Sequence, residues 1–184
     1  DISAKHLLSL VNDVLDMSKI ESNSFVVDAK PFNLGQTLAE VDDIVRFQAE
    51  QSGLRLYTDH DDVRDADLLG SALYLKKILV NLYSNAIKYN KPGGSITTRL
   101  REVSRTADTA VYAFTIRDTG IGMTQDFIEN HLFEAFSQED NAARSQYGGT
   151  GLGMSIVSQL VQKINGTITV ESTVCLLYTS PSPR

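Results

Sequence analysis

The chain has a single cysteine, Cys175, among its 184 residues, so an internal disulfide framework is excluded and a reducing compartment is favoured. It has no run of Lys or Arg and a net charge of −6, which argues against a nucleic-acid-binding surface. No stretch approaches about 18 consecutive apolar residues, and no signal peptide opens the sequence. We therefore expect a cytoplasmic segment with no membrane contact of its own.

Apolar residues make up 42% of the sequence, enough to bury the core of one ordinary domain with an additional helix. The residues that suggest chemistry lie in three short segments. Each segment has an ordinary structural explanation when it is taken alone.

The first segment lies in an amphipathic helix that is predicted by apolar residues spaced three and four apart. Those residues are Leu73, Leu75, Ile78, Leu79, Leu82, Ala86 and Ile87. Asn81 and Asn85 are four apart and share one face, where amide oxygens suit Mg²⁺, a cation that prefers oxygen ligands. Lys88 lies within reach of a phosphate, and Tyr89 offers an aromatic face to a purine. The alternative is the polar face of a surface helix.

The second segment follows a predicted strand and places Asp118 at the end of that strand, ahead of two glycines. An ionised carboxylate accepts hydrogen bonds, which suits the amino group of adenine. Gly120 and Gly122 permit a close backbone approach that a side chain would prevent. The alternative is an ordinary turn after a strand.

The third segment is a glycine-rich loop, residues 148–153, which opens a helix over residues 154–161. Backbone N–H groups at a helix N-terminus bind phosphate without a special side chain. The loop lacks the Gly-Lys-Ser/Thr of a Walker loop, and Met154 occupies the place of the last glycine in the dinucleotide fingerprint. A flexible connector is the alternative, but the three segments together predict a magnesium-nucleotide site.

In this order and spacing, the segments resemble the catalytic and ATP-binding domain of sensor histidine kinases over roughly residues 1–174. Asn81–Asn90 resembles that family's N box, and Asp118–Gly122 resembles its first glycine box. Leu132–Phe136 resembles the F box, and Gly149–Gly153 resembles the second glycine box.

The resemblance implies a role for each matching residue. It makes Asn85 the Mg²⁺ ligand, Asn81 a second polar group near the metal and phosphates, and Lys88 a phosphate contact. Tyr89 would line the adenine pocket and Asp118 would accept from the adenine amino group. The other expected nucleotide contacts are Gly120, Gly122, Met123, Phe133, Phe136, Gly149, Thr150, Gly151, Leu152 and Gly153.

The stretch from Met123 to Gln146 has the length of a mobile lid, and long irregular segments inside compact domains are often functional. Phe133 and Phe136 are expected to pack the lid against the core. By resemblance, Arg144 approaches the γ-phosphate, where it would favour developing charge. The alternative for Arg144 is a solvated surface side chain.

Residues 1–22 are expected to form the second helix of the dimerisation domain, because their wide apolar stripe suits a helix bundle. The alternative is a helix that covers the sheet. His6 lacks the family's phosphoacceptor context and lies on the wrong helix, so the acceptor histidine is expected on a helix missing from this chain. His60 and His131 show no partner pattern for metal binding or acid–base work.

Residues 23–174 are expected to form the catalytic domain, a two-layer α/β sandwich with a mixed sheet and helices on one face. The resemblance names this architecture the Bergerat-type ATPase fold. Helices are predicted over 34–51, 70–90 and 152–163, and strands over 25–27, 54–58, 95–103, 109–118 and 167–171. Residues 175–184 depart from the family, resemble read-through of a sequencing adapter, and are set aside as a non-native tail.

The implied function is ATP binding and, in the intact protein, transfer of the γ-phosphoryl group to the missing histidine. The implied partners are ATP, a homodimer partner and the receiver domain of a response regulator. The parent protein can be membrane-anchored. One alternative is an ATP-driven conformational ATPase of the same superfamily, which needs a catalytic carboxylate where this chain has Asn81. Another is a nonhydrolytic nucleotide-binding scaffold.

Overall fold

The computed structural model describes three long stretches, residues 29–60, 66–139 and 149–174. Near the N-terminus it also describes Val11, Val14, Leu15 and Ser18, all of which are helical. His6, the predicted strand at residues 25–27, Arg144 and residues 175–184 lie outside the described residues. The division of the chain at residues 22 and 174 stays a prediction.

The described stretches contain five strands and four helices, which are numbered here in chain order. They are β1 Lys30–Asn33, α1 Leu34–Gln51, β2 Arg55–Asp59, β3 Asp67–Gly70, α2 Ala72–Lys88, β4 Ser95–Arg105, β5 Ala110–Asp118, α3 Gln125–Asn130 and α4 Gly153–Lys163. A three-stranded sheet has the order β2-β4-β5, with β2 parallel to β4 and β4 antiparallel to β5. β1 and β3 form a separate antiparallel pair.

Helices α1 and α2 pack on β4 to form the main core. Asn33 caps α1 by accepting a hydrogen bond from the backbone N–H of Gln36, and the apolar side of α1 is buried along its length. Every second residue of the first half of β4 is buried, namely Ile96, Thr98 and Leu100. The mixed sheet and the layer of helices confirm the predicted two-layer α/β sandwich.

Helix α2 also contributes to a second apolar cluster, which it forms with α4. Tyr74 and Ile78 of α2 pack there against Leu152, Ile156 and Leu160. Helix α2 is therefore held on two sides, by α1 and β4 in one cluster and by α4 in the other. This double packing fixes the helix that carries Asn81 and Asn85.

The predicted strand over residues 167–171 is wrong, because the structure has no strand there. Its alternating Thr, Ile and Val residues satisfy the period of a strand, but a strand also needs a backbone partner, which pattern alone does not supply. Ile168 packs instead against the cluster formed by α2 and α4. The sequence does not indicate β1 and β3, because each has only four residues, and polar and apolar residues do not alternate along them.

A buried hydrogen bond joins α2 to the sheet. The hydroxyl groups of Tyr83 and Thr98 lie 2.8 Å apart, and neither residue is exposed to solvent. Burial raises the pKa of Tyr83 to about 12, because the phenolate form would lose its hydration. The Tyr83 ring also packs edge-on against Phe114 of β5.

Replacing Tyr83 with Phe should lower the free energy of unfolding by about 1 kcal/mol at neutral pH, because one buried hydrogen bond is lost. The pKa of Tyr83 is higher in the folded chain than the value of about 10 expected after unfolding. The contribution of the Tyr83 hydroxyl to the free energy of unfolding is therefore complete below about pH 10 and is lost as the pH rises towards 12.

Urea unfolding of wild type and Tyr83→Phe between pH 7 and pH 11 measures both effects. The difference between the two proteins should shrink above pH 10. A difference that grows with pH would contradict the assigned burial of the phenol.

Candidate functional site

The polar face of α2 carries three of the predicted site residues in successive turns. Asn81, Asn85 and Lys88 are spaced so that they share this face, and all three are half-buried. The opposite face is buried in the core through Leu79 and Tyr83. The amphipathic pattern that predicted the helix therefore also sets the direction of its amides.

Asn81 faces the N-terminus of α4. Its side-chain amide donates a hydrogen bond to the carbonyl of Lys77 over 2.9 Å, which orients the amide. A Cβ atom placed on Gly153 would lie 3.2 Å from the Asn81 Oδ1 atom. Gly153 is the first residue of α4, so the amide oxygen lies at the start of that helix.

The N-terminus of α4 has no side-chain cap, because Leu152 holds the cap position without a side-chain hydrogen bond. The first N–H groups of a helix have no partner within the helix and carry the positive end of its dipole. Leu152 itself is fully buried in the apolar cluster. Only its backbone can therefore face a ligand, which limits its predicted role to main-chain contact.

Lys88 is the last residue of α2, and its side chain reaches the glycine-rich loop. Its Nζ atom is 3.0 Å from the hydroxyl oxygen of Tyr89 and 4.7 Å from the centre of the Tyr89 ring. A Cβ atom on Gly149 would lie 2.5 Å from the same Nζ atom. The ammonium group therefore meets the loop where the predicted phosphate contacts begin.

The turn after β5 contacts the end of α2. The N–H of Ile121 donates to the carbonyl of Tyr89 over 3.0 Å, and a Cβ atom on Gly120 would collide with that carbonyl. Asp118 is exposed, and its Oδ1 atom accepts a hydrogen bond from the N–H of Gly120 over 2.8 Å. Asp118 is thus held at the side of the turn that adjoins Tyr89.

The next residues of this turn contact the chain beyond α4. Gly122 has a φ of +71° and lies so close to the carbonyl of Thr173 that a Cβ atom would collide with it. The N–H of Met123 donates to the Ser172 hydroxyl over 2.9 Å. These contacts show why the second glycine is needed, and they involve Ser172, which the sequence did not indicate.

The predicted anchoring of the lid is wrong for Phe136, which is 67% exposed. Its backbone makes the contact instead, because the N–H of Phe136 donates to the carbonyl of Gly151 over 3.1 Å. Phe133 is half-buried, and Leu132 is the buried residue of this segment. Aromatic character suggested packing, but Phe136 has a positive φ of 64° and its side chain is exposed.

The lid is also more regular than predicted, because it contains α3. Thr124 caps this helix by accepting from the N–H of Phe127, and Asp126 lies in its first turn. A threonine cap followed by an acidic first turn is a helix start signal, and it corrects the prediction of an irregular lid. A cavity of about 300 Å³ lies beside α3 and is lined by Phe127, His131 and residues 137–139, among others.

The two histidines set aside from the sequence each have an acidic neighbour. His131 Nδ1 lies 2.9 Å from a carboxylate oxygen of Glu134, which raises the pKa of His131. His60 Nδ1 lies 3.4 Å from a carboxylate oxygen of Asp42. Neither pair includes a residue of the predicted nucleotide site.

The structure therefore gathers most of the predicted residues along α2, between the two glycine-containing segments. Asn81 faces Gly153, Lys88 faces Gly149, and the backbone of Tyr89 contacts Gly120. Thr150 belongs to the same loop, where its hydroxyl accepts from the N–H of Leu152 over 3.1 Å. Arg144 lies outside the described residues.

Comparison with known proteins identifies the family of the chain. The family described as histidine kinase-, DNA gyrase B- and HSP90-like ATPase matches residues 70–180, which is more than half of the chain. The chain therefore belongs to this family of ATPase domains. The match to an ATPase family confirms the prediction that the nucleotide is ATP.

The similar curated proteins are sensor kinases. The chain is 40% identical over 171 residues to the sensor histidine kinase GacS of Pseudomonas protegens, covering 93% of the chain and 18% of GacS. It is 37% identical over 173 residues to the circadian input-output histidine kinase CikA of Synechococcus elongatus, covering 94% and 22%. The chain thus spans about a fifth of the length of these relatives. The expected sensor histidine kinase type of catalytic domain is confirmed.

Solved structures agree on the fold. Full-length ShkA in complex with AMPPNP superposes with a TM-score of 0.72 at 26% identity, covering 94% of this chain and 34% of ShkA. The Acinetobacter baumannii histidine kinase AdeS superposes with a TM-score of 0.71 at 21% identity, covering 93% and 74%. Among the described helices, none has both the length and the apolar character needed to cross a membrane.

Proposed function

We propose that this domain binds Mg-ATP along the polar face of α2 and, in the intact protein, positions the γ-phosphoryl group for transfer to a histidine. The contact of α2 with the glycine-rich loop carries the proposal. Asn81 Oδ1 lies at the N-terminus of α4, and Lys88 Nζ lies at Gly149. An amide oxygen, an ammonium group and the uncapped N–H groups of a helix along one contact between α2 and the loop suit a metal-bound polyphosphate.

The backbone from Gly149 to Gly153 is assigned to the phosphates. The uncapped start of α4 supports this role, because its N–H groups lack a side-chain partner. Thr150 and Gly151 contribute through their backbone in the same loop. Lys88 supplies a positive charge beside the loop without blocking it, because Gly149 leaves room for the ammonium group.

Asn85 is assigned as the protein ligand of Mg²⁺, with Asn81 as a second polar group. The half-buried amide of Asn85 makes no hydrogen bond to any described residue, so its oxygen can take a ligand. Mg²⁺ commonly keeps several waters and substrate phosphates, so one protein oxygen suffices. When bound, the metal would neutralise charge on the phosphates during transfer.

The adenine base is assigned to the turn after β5. One oxygen of Asp118 already accepts from Gly120, and a carboxylate retains acceptor capacity for the purine amino group. Tyr89, Gly122 and Met123 would line the base. Phe133 and Phe136 are proposed as further lid contacts, with the exposed ring of Phe136 free to meet a ligand.

The phosphoryl acceptor, the homodimer partner and the receiver domain of a response regulator are proposed from the relatives, whose names identify them as histidine kinases. Arg144 is proposed to approach the γ-phosphate. The use of ATP suits a cytoplasmic domain, whether or not the parent is membrane-anchored. Asn81, which stands where the related conformational ATPases need a carboxylate, favours the kinase over that alternative.

Nucleotide titrations of three proteins test the binding site. With Mg²⁺ present, Asn85→Ala should weaken ATP binding by about tenfold or more, because a metal ligand is lost. With EDTA present, Asn85→Ala and wild type should bind ATP alike. Asp118→Asn should reduce the preference for ATP over inosine triphosphate by about tenfold or more, because inosine lacks the amino group.

Two exposed residues that are not assigned to the nucleotide provide matched controls. Ser84→Ala changes the same helix beside Asn85, and Asp108→Asn changes a carboxylate in the loop between β4 and β5. Both should bind ATP as wild type does. Unchanged binding in Asn85→Ala or unchanged base preference in Asp118→Asn would refute the corresponding assignment.

Phosphoryl transfer requires the upstream helix. The chain supplied with γ-labelled ATP should remain unlabelled, whereas a longer protein extended through the upstream helix of the parent gene should label on histidine. Acid-labile, base-stable phosphate identifies that product. A longer protein that binds ATP but stays unlabelled would favour the nucleotide-binding scaffold instead.

A further inference from the structure

Asn90 occupies a buried position just beyond the end of α2. It is 7% exposed and lies between the helix, the start of β4 and the turn after β5. Its amide nitrogen donates to the carbonyl of Ala86 over 3.1 Å and to the carbonyl of Ser95 over 3.2 Å. The side chain therefore bridges the last turn of α2 to the first residue of β4.

The amide oxygen of Asn90 completes the bridge. It accepts from the hydroxyl of Thr119 over 3.0 Å and from the N–H of Lys91 over 2.9 Å. The Thr119 hydroxyl in turn accepts from the N–H of Ser95 over 2.9 Å. An asparagine amide offers two donors and two acceptor positions, and all four are used here.

This arrangement depends on the shape and polarity of Asn90. An aspartate would have no N–H to donate, and a glutamine would be one carbon longer. Gly94 is packed so tightly that a Cβ atom would collide with both the Asn90 amide oxygen and the Thr119 hydroxyl. The surrounding backbone is therefore closed around this pair of side chains.

The bridge joins the two halves of the proposed nucleotide site. On one side, Asn90 lies two residues after Lys88, the group at the end of α2 that is assigned to the phosphates. On the other side, Thr119 lies directly between Asp118 and Gly120. The contact between Asn90 and Thr119 thus sets the distance between Lys88, which is assigned to the phosphates, and Asp118, which is assigned to the base.

We propose that Asn90 and the Thr119 hydroxyl form a latch, a pair of positioning residues that fixes the distance between the phosphate-binding and adenine-binding halves of the site. The inference rests on the proposed function. ATP contacts both halves at once, so the affinity for ATP depends on the distance between them. The affinity for a ligand that contacts only one half does not depend on that distance. The latch itself touches no nucleotide.

The test compares three ligands, which are Mg-ATP, adenosine and Mg-tripolyphosphate, well below the melting temperature of every variant. Thr119→Val removes the hydroxyl at an exposed position and keeps the shape of the side chain. It should weaken Mg-ATP binding by about tenfold, while adenosine and Mg-tripolyphosphate each change by less than about twofold. Thr119→Ser should restore most of the affinity for Mg-ATP.

Thr115→Val, at an exposed threonine within β5, is the matched control and should leave all three affinities unchanged. Asn90→Ala should give the pattern of Thr119→Val, and combining the two changes should weaken Mg-ATP binding no further than Asn90→Ala alone. That shortfall from additivity would show that the two residues act as one unit.

Each remaining outcome overturns a defined claim. Wild type that does not bind Mg-ATP would overturn the proposed function and the latch with it. If wild type binds Mg-ATP but Thr119→Val binds it equally well, the latch alone is overturned. An equal loss for all three ligands would also overturn it, because that result indicates general loosening and not a change in spacing.

Discussion

The structure depends on the double packing of α2. Its apolar side is fixed by α1 and β4 in one cluster and by α4 in another, and only its polar face is left to meet the two glycine-containing segments. The backbone approaches this face closely, with Gly149 beside the ammonium group of Lys88 and Gly153 beside the amide oxygen of Asn81. The candidate site is therefore a consequence of how one helix is held, with no single loop responsible for it.

Much of this arrangement could be predicted from the sequence, because the relevant signals are local or periodic. Helix α1 begins and ends at the predicted residues, Leu34 and Gln51, because a long apolar stripe and an asparagine cap define it. The polar face of α2 follows from the same periodicity. The motifs in Asn81–Asn90 and Gly149–Gly153 then led to the family that the comparisons confirm.

What could not be predicted depends on contacts between distant parts of the chain. Residues 167–171 alternate like a strand but form no strand with any part of the chain that the structure describes. The ring of Phe136 is exposed although its aromatic character suggested burial. Asn90 and Thr119 are small polar residues with no pattern of their own. Their importance becomes visible only when the end of α2 and the turn after β5 are seen together.

Paramagnetic relaxation by Mn²⁺ in the presence of ATP tests the central claim most directly, because Mn²⁺ replaces Mg²⁺ at oxygen ligands and broadens nearby amide resonances. Resonances of Asn81, Asn85, Lys88 and Gly153 should broaden at the lowest Mn²⁺ concentrations, while those of the distant β4–β5 loop stay sharp. Broadening that begins instead at Phe127 and His131, beside α3, would contradict the account. Broadening that is the same with and without ATP would also contradict it.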